Sequence, residues 1–208
     1  MIDGVGPGIG KSTLAVSLAQ AIVARGLPVD LVPEEAVFDR PEFADAAVGF
    51  RTKQFDIERD ALPRAYEALV RRNAEAGAWV VVDWSAGSMA EDLPWAEDIV
   101  VLTDHLRRVR EIVADLDPIV LILEGELDTA LDRAIAQRGE QWLQRHTALA
   151  GGGDAAQSPR GRALRAQRRR DQRVRVAFAG AGWAVELIDA MRSPETVLAS
   201  ALRMIGLA

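Results

Sequence analysis

The densest chemistry in this chain lies in Gly6-Pro7-Gly8-Ile9-Gly10-Lys11-Ser12-Thr13. Its glycines permit backbone conformations that turn successive N–H groups inward around an anion. The segment falls between a strand candidate, Met1–Val5, and a helix predicted to start at Lys11. The partial positive charge of a helix N-terminus would then face the same point. Type and spacing predict a phosphate cradle, with Lys11 reaching the β- and γ-phosphates and the Ser12 hydroxyl on Mg²⁺. ATP and Mg²⁺ are the expected cofactors. The usual G-x-x-x-x-G-K-[ST] pattern is broken at one place. Its first glycine falls on Val5, with Gly4 and Gly6 on either side, which allows a loop set one residue differently.

Three acids are candidates for the other half of such a site. Glu34, Glu35 and Asp83 fall at the C-terminal ends of strand candidates Pro28–Val32 and Trp79–Asp83. Ligands of parallel α/β sheets bind beyond those ends, and a hydroxyl attacking phosphorus gains from a carboxylate within hydrogen-bond reach. The competing readings are a solvated acidic loop for the glutamates and a strand-end cap for Asp83. Trp84 is suited to stacking on a ring or to filling core beside the sheet. Gln54 is suited to reading an amide-like base edge or to sitting on a helix surface.

The elements that must position these residues alternate along the chain. Val80-Val81-Val82 and Ile119-Val120-Leu121-Ile122-Leu123 are apolar on both faces, as expected of parallel strands covered on both sides. Ala184–Asp189 is the last strand candidate. Lys11 to Arg25 reads as a helix stopped by Gly26; Phe50 to Glu75 reads as one with a kink or break at Pro63. Pro94 to Leu116 and Asp128 to Arg138 follow. Ser193-Pro194-Glu195 then opens a final helix with an N-cap, a first-position proline and an acid in the first turn. This alternation predicts an α/β fold with one parallel sheet.

Composition narrows the class. The chain has 208 residues, 49% of them apolar, and a net charge of −6, which suits one buried domain over residues 1–208. It has no cysteine, which excludes disulfides and thiolate metal sites, and only two histidines, His105 and His146. No apolar run approaches a membrane span. No secretory leader is visible, so a cytoplasmic location is expected. Acidity argues against nucleic acid as the partner. Gly151 through Pro159 reads as a mobile loop, and eight arginines follow between Arg160 and Arg175. That run is read mainly as a solvated helix face; the alternatives are a cover for phosphates or an attractor for an anionic substrate.

Beyond the cradle, the chain resembles the thymidylate kinase and deoxynucleoside kinase group. Gly77-Ala78-Trp79-Val80-Val81-Val82-Asp83-Trp84-Ser85, ending at Ser88, is similar to its third-strand motif. Phe55 with Arg59 is similar to its F-x-x-x-R, and Val32-Pro33-Glu34-Glu35 to its V-P-E-P. Asp117-Pro118, Leu131-Asp132-Arg133 and Arg138-Gly139 resemble its fourth strand and the start of its lid; Ile188-Asp189-Ala190 with Ser193-Pro194-Glu195 resembles its C-terminal motif.

The resemblance implies a three-layer P-loop NTPase fold. Its five-stranded parallel sheet would run in order 2-3-1-4-5, with helices on both faces and a mobile lid over about residues 138–162. It implies Glu34 as the base, Asp83 orienting Mg²⁺, and Arg59 contacting the acceptor. Arg133, Arg138 and Arg145 would surround the lid and serve the phosphates, and the chain would pair as a homodimer. The pattern departs at Trp84, where the group carries arginine, and no R-E-P-G follows the second strand. The expected activity is therefore ATP-dependent phosphorylation of a hydroxyl on a nucleoside-like small molecule. A nucleoside monophosphate kinase and a regulatory P-loop ATPase are the alternatives.

Overall fold

The computed structural model of the protein describes residues 1–52, 56–91, 93–149 and 158–208. Five strands form where the β-branched runs lie: β1 (Ile2–Gly4), β2 (Val29–Val32), β3 (Trp79–Val82), β4 (Ile119–Glu124) and β5 (Ala184–Asp189). Every pairing among them is parallel. The fold is thus α/β, but the expected single five-stranded sheet is corrected to two ladders, β1-β4-β5 and β2-β3.

The break follows from β1. Its three residues pair with β4 in the register Ile2↔Leu121 to Gly4↔Leu123, and Val5 N–H extends that ladder to Leu123 O. Toward β3 the connection is made by side chains. The Asp3 carboxylate accepts from the hydroxyls of Ser85 and Ser88, just past the end of β3. A side-chain clasp thus stands where a backbone ladder was expected.

Ten α-helices are described: α1 (Lys11–Val23), α2 (Ala36–Asp39), α3 (Ala44–Thr52), α4 (Ala61–Ala76) and α5 (Ala86–Glu91), then α6 (Ile99–Ile112), α7 (Leu127–Arg138), α8 (Glu140–Leu149), α9 (Pro159–Gly180) and α10 (Pro194–Met204). Local sequence explains most boundaries. Ser193 caps α10 by accepting from Thr196 N–H, Ser158 caps α9 through Gly161 N–H, and both helices carry proline in the first turn. Asp98 caps α6. Gly77 ends α4 in the left-handed conformation. The helix expected over Phe50 to Glu75 is corrected to α3 and α4. Pro63 lies in the first turn of α4, where its missing N–H has no intrahelical acceptor to lose.

The alternating apolar residues of the strands face two cores. Val32, Val82, Val120 and Ile122 pack with Phe43, Tyr66, Leu102 and Phe178, from the α4, α6 and α9 side. Ile2, Val81, Leu121 and Leu123 pack with Leu14, Leu18 and Ile22 of α1 and Leu202 of α10. Ile2 of β1 and Val81 of β3 thus share the second core, although no backbone pairing between their ladders is found among the described residues. Among the described residues no helix is long and apolar enough to cross a membrane.

Candidate functional site

The segment after β1 folds as a tight loop onto α1. Gly10 has φ 106° and no side chain caps the helix there, so the first N–H groups of α1 are left for an external acceptor. Gly8, at φ 79°, is fixed by packing as well: a Cβ there would collide with the Ala130 carbonyl oxygen and stand 2.9 Å from Ala134 N. Ala130 and Ala134 are fully buried, and their small side chains let α7 approach the loop this closely. Ile9 anchors the loop from below. Its side chain is 3% exposed and lies so near Gly4 that a Cβ there would stand 2.7 Å from it. Ile9 can therefore serve a ligand only through its backbone.

A cavity of about 830 Å³ opens over this loop at the C-terminal ends of the strands. Of the residues expected around the nucleotide, Pro7, Gly8, Ile9, Gly10, Lys11, Ser12, Thr13, Arg133 and Arg138 line it. Gly6 is buried beneath it, and its carbonyl accepts from Lys11 Nζ at 3.1 Å. Burial holds the Lys11 ammonium below its usual range. The carboxylates of Asp3, Glu34 and Asp83 pull it back up, and Arg170 pushes it further down.

Glu34 and Asp83 reach the same cavity from the ends of β2 and β3. Asp83 is 3% exposed, and its Oδ1 has no hydrogen-bond partner among the described residues. Burial lifts its carboxyl above the usual carboxylate range, with the Glu34 and Glu35 charges adding to this; a hydrogen bond with Ser12 and the Lys11 charge act the other way. A buried carboxylate beside a hydroxyl, with one oxygen unanswered, fits a divalent cation that also takes phosphate oxygens. No group of three or more His, Cys, Asp or Glu side chains that could hold a metal ion is found among the described residues. Glu35 is exposed at the start of α2 and does not line the cavity, so the structure separates the two glutamates.

Trp84 fills the core beside the sheet and also reaches the cavity wall. It is 5% exposed, donates from Nε1 to Tyr66 Oη at 3.3 Å and meets Phe43 edge-on at 5.7 Å, yet it also lines the cavity. Phe38, Phe50, Met89 and Val174 extend its apolar wall. Arg59 is not brought to the site. The chain turns before α4 begins at Ala61, and Arg59 ends up exposed, its charge bearing on His105 of α6. Arg145 is exposed on α8 and also lies outside the cavity lining. Gln54 and Phe55 lie outside the described residues, as does most of the Gly151–Pro159 segment.

The arginine run resolves residue by residue. Arg160 pairs with Asp128 at 2.9 Å, Arg173 with Glu91 at 3.3 Å and Arg175 with Glu124 at 2.8 Å. These pairs hold α9 against α5, α7 and β4. Arg170 is the member of the run that lines the cavity, next to Gln167 and Asp171. Sequence reasoning missed these three and Asp3. A signal for them was present. Ala163, Gln167, Arg170, Val174 and Phe178 recur at helical spacing, which marks one inward face of α9. Asp3 was equally visible as an acid inside the first strand candidate, Met1–Val5.

No protein-family model matches the chain, and no curated protein matches it.

Proposed function

We propose that this chain is an ATP-dependent kinase, a divergent member of the thymidylate kinase and deoxynucleoside kinase group with the three-layer P-loop NTPase architecture. It transfers the γ-phosphoryl group to a hydroxyl of a nucleoside-like small molecule. The observation that carries this is one cavity that joins two chemistries. On one side stand an uncapped helix N-terminus, Lys11 and Ser12; on the other stand Glu34 and an apolar wall. The ladders β1-β4-β5 and β2-β3 would be the two parts of a 2-3-1-4-5 strand order, joined at β1 and β3 by the Asp3 clasp.

In this mechanism the glycine-rich loop and the first turn of α1 donate to the β- and γ-phosphates, and Lys11 places its charge on the same oxygens. Ser12 and Asp83 are the residues that would hold Mg²⁺, whose charge offsets that of the phosphates. Glu34 accepts the proton of the acceptor hydroxyl as its oxygen bonds to the γ-phosphorus. The bond from that phosphorus to the β–γ bridging oxygen breaks, and ADP leaves with the electron pair. Phe38, Phe50 and Trp84 give a flat, largely neutral acceptor its binding surface. The absence of Arg59 from the cavity lining and the aromatic ring at position 84 favour a nucleoside over a nucleoside monophosphate.

A screen of nucleosides, nucleoside monophosphates and other alcohols for acceptor-dependent ADP release tests this. A nucleoside-class acceptor is expected to stimulate release most. Stimulation by monophosphates alone would move the acceptor class, and ATP binding that no acceptor converts to ADP release would favour a regulatory ATPase.

A further inference from the structure

Resting on that kinase reading, the geometry points to Arg170 of α9, outside the loop and the lid, as the cation that meets the phosphoryl group in flight. Transfer passes through a state with negative charge spread over three equatorial oxygens, and a fixed cation aimed there accelerates it. The end of β3 supplies none, because Trp84 follows Asp83. Of the α7 arginines that line the cavity, Arg138 is engaged with an aromatic ring: its guanidinium lies 5.2 Å from the Trp142 ring centroid, over its face.

Arg170 enters from the opposite helix. Its guanidinium donates to the Ser88 carbonyl and sits 3.6 Å from a Glu91 carboxylate oxygen. The Ser88 hydroxyl donates in turn to Asp3 at 2.5 Å, at the end of the strand that feeds the loop. Two hydrogen bonds therefore connect the Arg170 guanidinium to β1. The charge of Arg170 also bears directly on Lys11.

Such a cation must be held rigidly to act without reorganisation. Arg160 and Arg175 tie the two ends of α9 to α7 and β4, and Arg173 donates to the Ala96 carbonyl at 2.7 Å. Arg170 takes no part in bond making. It stabilises charge on the γ-phosphoryl oxygens while the acceptor oxygen bonds to phosphorus and ADP departs.

The alternative is a purely architectural arginine tying α5 to α9. The experiment separates the two with ADP·Mg²⁺ alone and with ADP·Mg²⁺ plus aluminium fluoride, whose planar complex stands in for the transferring phosphoryl group. Arg170→Ala should fold, since Arg173 still answers Glu91 at 3.3 Å. Its affinity for ADP·Mg²⁺ is expected to change less than about threefold, while the extra affinity given by fluoroaluminate falls about 100-fold. Arg170→Lys, which keeps the charge but loses the planar fork, should recover part of that loss.

Equal affinities in wild type and variants, or equal losses for both ligands, overturn the role of Arg170. If Arg170→Ala fails to fold, Arg170→Lys decides: at least a tenfold selective loss supports the role, and none overturns it. A wild-type protein that binds no ADP·Mg²⁺ overturns the kinase reading itself, which is a distinct result.

Discussion

The β1-β4-β5 ladder and the β2-β3 ladder supply the same cavity by different means. The first supplies a backbone loop held by Ile9, roofed by Ala130 and fused to an uncapped helix, which the proposal assigns to phosphate. The second supplies carboxylates, Glu34 and Asp83, at strand ends. Among the described residues no backbone bond joins the two ladders, and the Asp3 carboxylate accepts from Ser85 and Ser88 across the gap. In the proposed kinase, donor and acceptor functions would thus meet at a seam held by side chains and by a shared apolar core. Backbone ladders fix each half; the relation between halves depends on a few polar atoms.

The strongest way to break this division is Lys11→Ala. Removing the charge at the loop should lower ATP turnover about 1,000-fold and weaken ATP binding, both read by steady-state kinetics and calorimetry. Unchanged turnover would remove the loop from the chemistry. Glu34→Gln tests the other ladder. It should slow phosphoryl transfer about 100-fold and leave ATP affinity as it was, because its task is proton acceptance alone. An effect confined to ATP binding would place Glu34 with the donor half.

Asp3→Ala acts on the seam itself. It strips the buried Ser85 hydroxyl and the half-buried Ser88 hydroxyl of their acceptor and is expected to cost about 3 kcal/mol in denaturant unfolding. A cost near zero would show that the apolar core alone joins the ladders.

At neutral pH the smallest effect concerns His105 of α6. It is 1% exposed, and both ring nitrogens lack partners among the described residues. Burial pulls its pKa from 6.5 down to about 4, with Arg59 and Arg108 pushing the same way and Asp60 opposing. Trp95 packs against its ring at 4.9 Å. The unfolded chain therefore binds a proton that the folded one refuses. This contribution to stability is whole above pH 6.5 and is lost as the pH falls from 6.5 toward about 4, about 3 kcal/mol in all. His105→Leu should flatten that limb of the stability profile and cost little at pH 7. An unchanged acid slope would assign the loss to other groups.

Much of the fold was legible because its signals are local. Val80 to Val82 and Ile119 to Leu123 could only be buried strands, and Ser193-Pro194 could only open a helix. The glycine-rich turn between β1 and α1 was legible for the same reason, and the structure gathers Pro7 to Thr13, but not Gly6, at the cavity wall. Arg59 was misplaced because its position depends on where α4 begins, and a proline in a helical pattern does not say whether it breaks a helix or starts one. Glu34 could not be told from Glu35 by sequence. Both are exposed in the turn after β2, and of the two Glu34 lines the cavity.

What the sequence determined by itself is an α/β chain with parallel strands, a loop shaped for phosphate and acids at strand ends, since each follows from neighbouring residues and short-range sterics. Tertiary structure alone decided that the sheet is divided, that Asp3 bridges the division, and that Arg170, among eight arginines, faces the cavity. Those outcomes depend on contacts between residues more than 80 positions apart, such as Ser85 with Asp3 and Arg170 with Ser88. Such contacts are set by how helices and strands pack, and no local pattern carries them.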